Sequence, residues 1–430
     1  MQSTVQGQGA KKMSAISQPV AVPATASTRW IQLVLGIIAM MSISSPQYVW
    51  TLFTKSFQDG LGSTLADIQW TFSILIILQT WLSPLQGYLI DKFGARLLIA
   101  VGCLMSGAGW ITSAYATSLM GLYLTYGLFC GVGTGIVYIG IIGLMVRWFP
   151  DRRGFATGMV AAGYGFGAIL TTFPIDTMLK SSGYQHTLVV FGIILGIVGA
   201  IAALAMRMPQ STDKLPRPAV ASAVKDVMPA EMLKTKVFWL MFIMMTMMST
   251  GGLMIISQFA SFSRDFGVTK VMVFGLAALP LALTIDRITN GLTRPFFGWV
   301  SDHIGRENTM AIAFLMEACA VAAMVLLRDN TLLFVLLSGV VFFGWGEIFS
   351  LFPSTLTDTF GTKSATTNYG FLYMAQGVGS VLGAPVAALI YAKAGSWLPV
   401  FAIIITMDAL TGILALVALK PMRKNYLAGK

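Results

Sequence analysis

Charge is scarce in this chain. Only 10% of its 430 residues are Asp, Glu, Lys or Arg, while 56% are apolar and the mean hydropathy is +0.76. A soluble protein of this size carries about 25% charge, so the shortage excludes a water-soluble fold and points to lipid. Histidine is scarcer still: two residues, too far apart for a metal site. The three cysteines, Cys103, Cys130 and Cys319, stand singly in apolar segments. They have neither metal-ligand spacing nor a disulfide framework, and we expect them to face the bilayer as small hydrophobes. A nucleotide-binding fingerprint, a catalytic triad and a metal constellation are all missing. An enzyme and an ATP-driven pump are therefore unsupported, and no cofactor is expected.

What the chain does have is long apolar runs. Stretches of about 20 apolar residues mark membrane-spanning helices, and twelve occur, near 30–53, 66–90, 97–116, 119–146, 155–179, 184–206, 237–260, 272–299, 308–327, 331–352, 367–392 and 397–419. The polar segment 207–236 divides them into an N-terminal bundle, 29–206, and a C-terminal bundle, 237–420, leaving a short tail at 421–430. The expected fold class is an all-α membrane protein of two six-helix bundles. Residues 1–28 are polar, carry Lys11 and Lys12, and lack the apolar core and cleavage site of a signal peptide. A disordered cytoplasmic tail is expected there.

Flanking charge sets the orientation, because cytoplasmic loops retain Lys and Arg. With the N-terminus inside, the opposite side holds only Lys55, Lys180, Arg264, Lys270, Arg328 and Lys393 of the 28 basic residues, and Arg287 and Arg294 lie within the membrane. Both termini are then cytoplasmic, in a plasma (inner) membrane. The net charge of +11 is mostly this bias, and nucleic acid is not an expected partner.

A repeat supports the division into halves. "GYLIDKFGAR" after span 2 holds Gly87, Asp91, Gly94 and Arg96; "GWVSDHIGRE" after span 8 holds Gly298, Asp302, Gly305 and Arg306. Glycine permits close helix packing, and the aspartate and arginine can bridge helix ends, so these residues read as structural and gating. The pattern resembles the major facilitator superfamily, whose loop between helices 2 and 3 carries G-x-x-x-D-x-x-G-x-R, echoed between helices 8 and 9. That resemblance implies two halves rocking about a midplane site.

Further stretches narrow it. "SPQYVWTLF" (45–53), "RWFPDRRGFATG" (147–158), "GYGFGA" (163–168), "NGLTRPFFGWVSDHIGR" (290–306), "FSLFPSTLTDTFG" (349–361) and "NYGF" (368–371) are similar, in order and spacing from about residue 29 to 420, to the oxalate/formate antiporter family, a relative of the monocarboxylate transporters. The implied function is secondary transport of small carboxylates by alternating access, with a monomer expected.

Arg294 is the residue to weigh. It lies eight residues before Asp302, about 12 Å from the helix end, where an arginine costs roughly 2.5–3.5 kcal/mol on insertion scales. A structural ion pair and snorkelling to the membrane face are open alternatives. The resemblance makes it a substrate ligand, and a guanidinium fork fits a carboxylate with two hydrogen bonds. Asn290, one turn away on the same face, can reach the same ligand or hold the guanidinium. The family's second cation, a lysine in "N-Y-G-F-x-x-x-A-K", is replaced here by Gln376, which puts oxalate in doubt. Phe349 stands where the oxalate carriers have tyrosine.

Arg287 lies about 20° around the helix from Arg294 and about 10 Å away. It reads either as a second positive charge or as a structural partner of Asp286 or Glu347. Glu347 is a candidate proton carrier; Glu317 and Asp408 lie in helices expected at the periphery. The resemblance adds cavity positions at Gln47, Tyr48, Gln69, Tyr138, Tyr164, Trp345 and Tyr373. Exchange of carboxylates, proton-linked uptake of a monocarboxylate such as lactate or formate, and a non-transporting carboxylate sensor are the rival functions.

Overall fold

In the computed structural model, residues 26–210, 213–218, 225–268 and 271–429 are described. The expected tail as far as residue 25, with Lys11 and Lys12, lies outside them, as do Lys270, Lys430 and parts of the linker.

The apolar runs become helices, and breaks fall where the sequence supplies them. Span 1 is Ala26–Ser42, continued by Ser45–Tyr48 and Trp50–Leu61. Span 2 is Leu65–Trp81 followed by Ser83–Phe93, bent by 48° where Pro84 removes a backbone donor. Span 3 is Ala95–Ser113, and span 4 runs from Leu119 to Trp148 through wide turns at Tyr123–Cys130. Spans 5 and 6 form a continuous helical stretch, Arg153–Ala205, of 53 residues. At 1.5 Å per residue that is about 80 Å, far beyond the roughly 30 Å hydrocarbon core. Gly183, at φ 79°, breaks it into two spans; only glycine takes that conformation without strain.

The second half follows the same plan. Span 7 is Lys236–Asp265; a short hairpin (Met272–Val273 with Leu276–Ala277) leads into span 8, Ala278–Ile304. Span 9 is Arg306–Leu326, span 10 is Thr331–Trp345 plus Ile348–Phe360, span 11 is Ala365–Ala394, and span 12 starts at Leu398–Leu414 and continues to Leu427. Span 8 holds Asp286, Arg287, Arg294 and Asp302 within one helix.

The two loops of the repeat have one geometry. Gly94 has φ 93° and ψ 151°; Gly305 has φ 92° and ψ 154°. Each preceding aspartate then reaches into the other half and accepts hydrogen bonds at a helix start. Asp91 takes the backbone N–H of Thr367 (2.8 Å), and Asp302 takes those of Gly154 (3.0 Å) and Phe155 (2.9 Å). A carboxylate there complements the helix dipole. Arg147 adds an ion pair to Asp91 at 2.6 Å. Asp358, fully buried, holds both Arg153 of the first half and Arg306 of its own half, the latter at 2.8 Å. Gly154 and Gly298 meet backbone to backbone with no room for a side chain.

Two expectations need correction. Arg96 does not bridge this end: it is exposed and has no ion pair among the described residues, whereas Arg306 is 1% exposed. The aspartates and glycines of the repeat share one offset, but Arg96 lies two residues after its glycine and Arg306 only one. One residue turns a side chain by about 100° on a helix, and Arg147 takes the pairing instead. Of the cysteines, only Cys319 is exposed; Cys103 and Cys130 are buried between helices, their sulfurs filling the space that Gly199 and Gly109 leave.

Candidate functional site

Span 8 approaches span 5 closely because Gly158 lets the backbone of Arg294 and Pro295 pass with no intervening side chain. That contact carries the Arg294 side chain into the interface between the halves, where it is 2% exposed. Its Nη1 donates to the carbonyl of Ala161 at 2.6 Å, and its Nη2 donates to Oδ1 of Asn290 at 2.9 Å. The Nε has no acceptor, and no carboxylate pairs with the guanidinium among the described residues. The ring of Phe349 covers it at 4.7 Å, a favourable cation–π placement. Neither a structural ion pair nor snorkelling describes this geometry.

Around that cation the structure gathers aromatic rings. Tyr138 of span 4 stacks on Tyr373 of span 11 at 4.9 Å, meets Tyr164 of span 5 edge-on at 5.3 Å, and reaches Phe349 at 6.5 Å. Tyr48 adds an edge to Tyr164 at 5.4 Å, and Trp345 adds one to Phe349 at 5.8 Å. The hydroxyl of Tyr164 donates to Gln47 at 2.5 Å. Trp345 turns its indole N–H away, to the carbonyl of Met248 at 2.9 Å. Tyr48, 43% exposed, is the open side of an otherwise buried cage.

Gln69 is not in the cage. It is exposed and accepts from the indole of Trp50 at 3.2 Å. The span 2 glutamine that belongs here is Gln79, ten residues or about 15 Å further along: it is buried, donates to the Tyr373 hydroxyl at 3.3 Å, and has a free Oε1. Gln69 and Gln79 differ in depth and lie about 80° apart around the helix, and the packing of span 2 on span 11 brings Gln79 to Tyr373. Tyr369 is also new, its buried hydroxyl unpartnered; it sits one turn before Tyr373, a spacing that the "NYGF" stretch already offered. Gln376 is on the same helix with its Oε1 buried and unpartnered.

Arg287 departs from expectation as well. It is exposed and pairs with neither Asp286 nor Glu347. It shares a face with Arg294, but it sits further from the ion-paired end. Glu347, Glu317 and Asp408 are each fully buried, the last two on the inward faces of spans 9 and 12.

The comparisons with known proteins complete this picture. The sequence profile of the Major Facilitator Superfamily matches residues 33–287 and 280–428. The chain belongs to the major facilitator superfamily. It is 35% identical over 368 residues to an oxalate:formate antiporter of Oxalobacter formigenes, spanning 85% of this chain and 86% of that protein. Monocarboxylate transporter 13 of Bos taurus is 22% identical over 82% of the chain and 80% of its own length. Among solved structures, the transporter FucP in its outward conformation superposes with a TM-score of 0.67 at 15% identity, covering 90% of this chain and 98% of that one. The proton:xylose symporter XylE gives 0.69 at 12% identity, covering 92% and 97%. The protein is an integral membrane transporter of this superfamily and not an enzyme.

Proposed function

We propose that the protein carries small carboxylate anions across the plasma (inner) membrane by alternating access, with Arg294 as the anion ligand. The single observation that carries this is a buried guanidinium with no carboxylate partner among the described residues, held by Ala161 and Asn290 and covered by Phe349, the ring that borders the tyrosine cage between the halves. An unpaired cation at this depth is expensive, and an anionic substrate supplies the missing charge. Gln47, Tyr48, Gln79, Tyr138, Tyr164, Tyr369 and Tyr373 then offer hydroxyls and amides to its oxygens, while the rings of Phe349 and Trp345 limit its size.

With both termini cytoplasmic, the ion-paired end at Asp91 and Asp302 is the closed cytoplasmic gate, and the open side at Tyr48 faces outward. The halves 29–206 and 237–420 rock about the cage, joined by the linker 207–236, in a carrier that works as a monomer. Likeness to an oxalate:formate antiporter favours anion exchange. A second reading, proton-linked uptake of a monocarboxylate, is favoured by Gln376, which leaves the cage one strong cation instead of two. Purified protein in liposomes, assayed for entry of labelled formate, oxalate or lactate with and without a proton gradient, separates the two. Entry of none of them would defeat the proposal.

A further inference from the structure

Beside the anion site lies a second group of charges that substrate binding does not use. Span 10 is interrupted at Gly346–Glu347, and Gly346 packs directly against the backbone of Asn290 and the side chain of Thr293. The break therefore sets Glu347 next to the turn that carries Arg294. Span 9 brings Glu317, whose Cβ fills the notch left by Gly344. Span 12 brings Asp408, one carboxyl oxygen lying against Gly251 of span 7. All three residues are 0% exposed, and none of their six carboxyl oxygens accepts a hydrogen bond from another residue. Gly344, which receives Glu317, lies three residues before Glu347, and Trp345, two before it, packs on Gly252, the neighbour of the Gly251 that meets Asp408.

Three carboxylates cannot all be ionised there. Isolated buried charge is prohibitive without a partner or a donor, and like charges at close range repel. The independent observation is Arg294, on the helix whose Asn290 and Thr293 pack against Gly346: its guanidinium is 2% exposed and has no ion-pair partner among the described residues. Other buried charged side chains in the packed helices are few among the described residues, and Arg287 of span 8 is exposed. The interior of span 7 between Lys236 and Arg264 has none, span 11 offers only the phenols of Tyr369 and Tyr373 near the cage, and Asp286 on span 8 is buried beside Ser338.

We propose that Glu317, Glu347 and Asp408 form a proton-binding site coupled to the anion site, so that the carrier moves a proton with its carboxylate. This rests on Arg294 being the anion ligand. With the anion site empty, the guanidinium acts through space, without an ion pair, as the counter-charge of an ionised Glu347. When an anion takes Arg294, Glu347 loses that counter-charge and accepts a proton from water, forming the O–H of a carboxylic acid. On release of the anion the same O–H breaks and the proton leaves to water. Binding energies are linked reciprocally, so the proton also strengthens anion binding.

Two measurements on the purified full chain decide it. Infrared spectra in H2O and D2O are expected to show a deuterium-sensitive carboxylic-acid C=O band that grows on adding formate, with E347Q removing the growing component and E317Q and D408N each reducing the static band. D286N serves as the control for the remaining buried acid. In liposomes with a one-unit pH gradient, one-to-one coupling gives about tenfold accumulation of labelled formate; E347Q is expected to bring this to parity yet retain formate-for-formate exchange. Melting temperatures and the conservative E347D separate a misfolded variant from an uncoupled one, because E347D keeps the band. A spectrum with no such band, or tenfold accumulation persisting in E347Q, overturns the proton site. A band that is present but indifferent to formate, oxalate and lactate, with no entry of any of them, defeats the anion reading instead.

Discussion

The ends and the middle of the bundle interface treat buried charge in opposite ways. At the ion-paired end, Asp91, Asp302 and Asp358 each hold an arginine, and two of the three also or instead cap the start of a helix in the other half. At the midplane, Arg294 holds no carboxylate, and Glu317, Glu347 and Asp408 hold no donor. Asp358 at the paired end is as deeply buried as the midplane acids, so depth alone does not explain the difference. Paired charges fix one conformation and release it when the pairs part. Unpaired charges wait for something that arrives and leaves.

The contrast is broken most severely at Arg294. Replacing it with glutamine keeps a group that can bond Ala161 but removes the only buried midplane cation among the described residues. Truncating one partner of a buried charge pair costs about 3–5 kcal/mol, so carboxylate transport should fall by at least about 100-fold while the protein still inserts and melts near the wild-type temperature. Near wild-type flux of labelled formate, oxalate and lactate in R294Q would remove Arg294 from the site.

Next in size is the paired end. Asp358→Asn leaves Arg153 and Arg306 without their shared carboxylate, again a loss of about 3–5 kcal/mol. Part of that falls on folding and part on the closed gate. The melting temperature should drop by several degrees, and an engineered cysteine in the turn at 361–364 should label faster from the linker side. If neither changes, the pairs are passengers in the closure.

These two regions were unequally legible. The aspartates and glycines of the paired end announce themselves by their repeat, because a turn that needs positive φ demands glycine in both halves. Arg96 misled because a one-residue shift after the glycine is invisible to a motif and decisive on a helix. Arg294 was legible as a charge in an apolar helix next to a proline. Gln79 was not: which side of span 2 meets span 11 is set by packing, and sequence offered Gln69 on equal terms. Glu317 and Asp408 were visible as isolated acids, but their meeting with Glu347 depends on how spans 9, 10 and 12 pack.

A smaller effect sharpens the midplane side. Gln376 stands one turn from Tyr373, and its Oε1 has no partner. Gln376→Lys adds a second cation to a cage built around one, and two unit charges near a buried dianion are worth several kcal/mol by about 332/(εr) at an effective ε near 20. Oxalate should gain on formate and lactate by about tenfold or more in competition for labelled uptake. An unchanged ratio would mean that a second charge is already present, with exposed Arg287 the first to test.

The smallest change asks whether the cage ring matters as a ring. Phe349 covers the Arg294 guanidinium at 4.7 Å and meets Tyr138 and Trp345 edge-on. Phe349→Tyr preserves the stack and adds one hydroxyl in a buried place. If that hydroxyl reaches substrate, a hydrogen bond to a charged group is worth about 1.5–3 kcal/mol. Against this stands the cost of a buried hydroxyl left without a partner in the empty site, about 1–3 kcal/mol. The two nearly cancel in stability but not in binding, because only the bound state satisfies the hydroxyl. Formate affinity should therefore tighten by a few fold, with the melting temperature of the empty protein slightly lowered and that of the anion-loaded protein restored. Phe349→Leu is the counterpart: it keeps apolar volume, removes the cation–π contact worth about 0.5–2 kcal/mol, and should weaken binding by a similar factor. Should both variants match the wild type in affinity, Phe349 only fills space, and discrimination among anions rests on the tyrosines and glutamines alone.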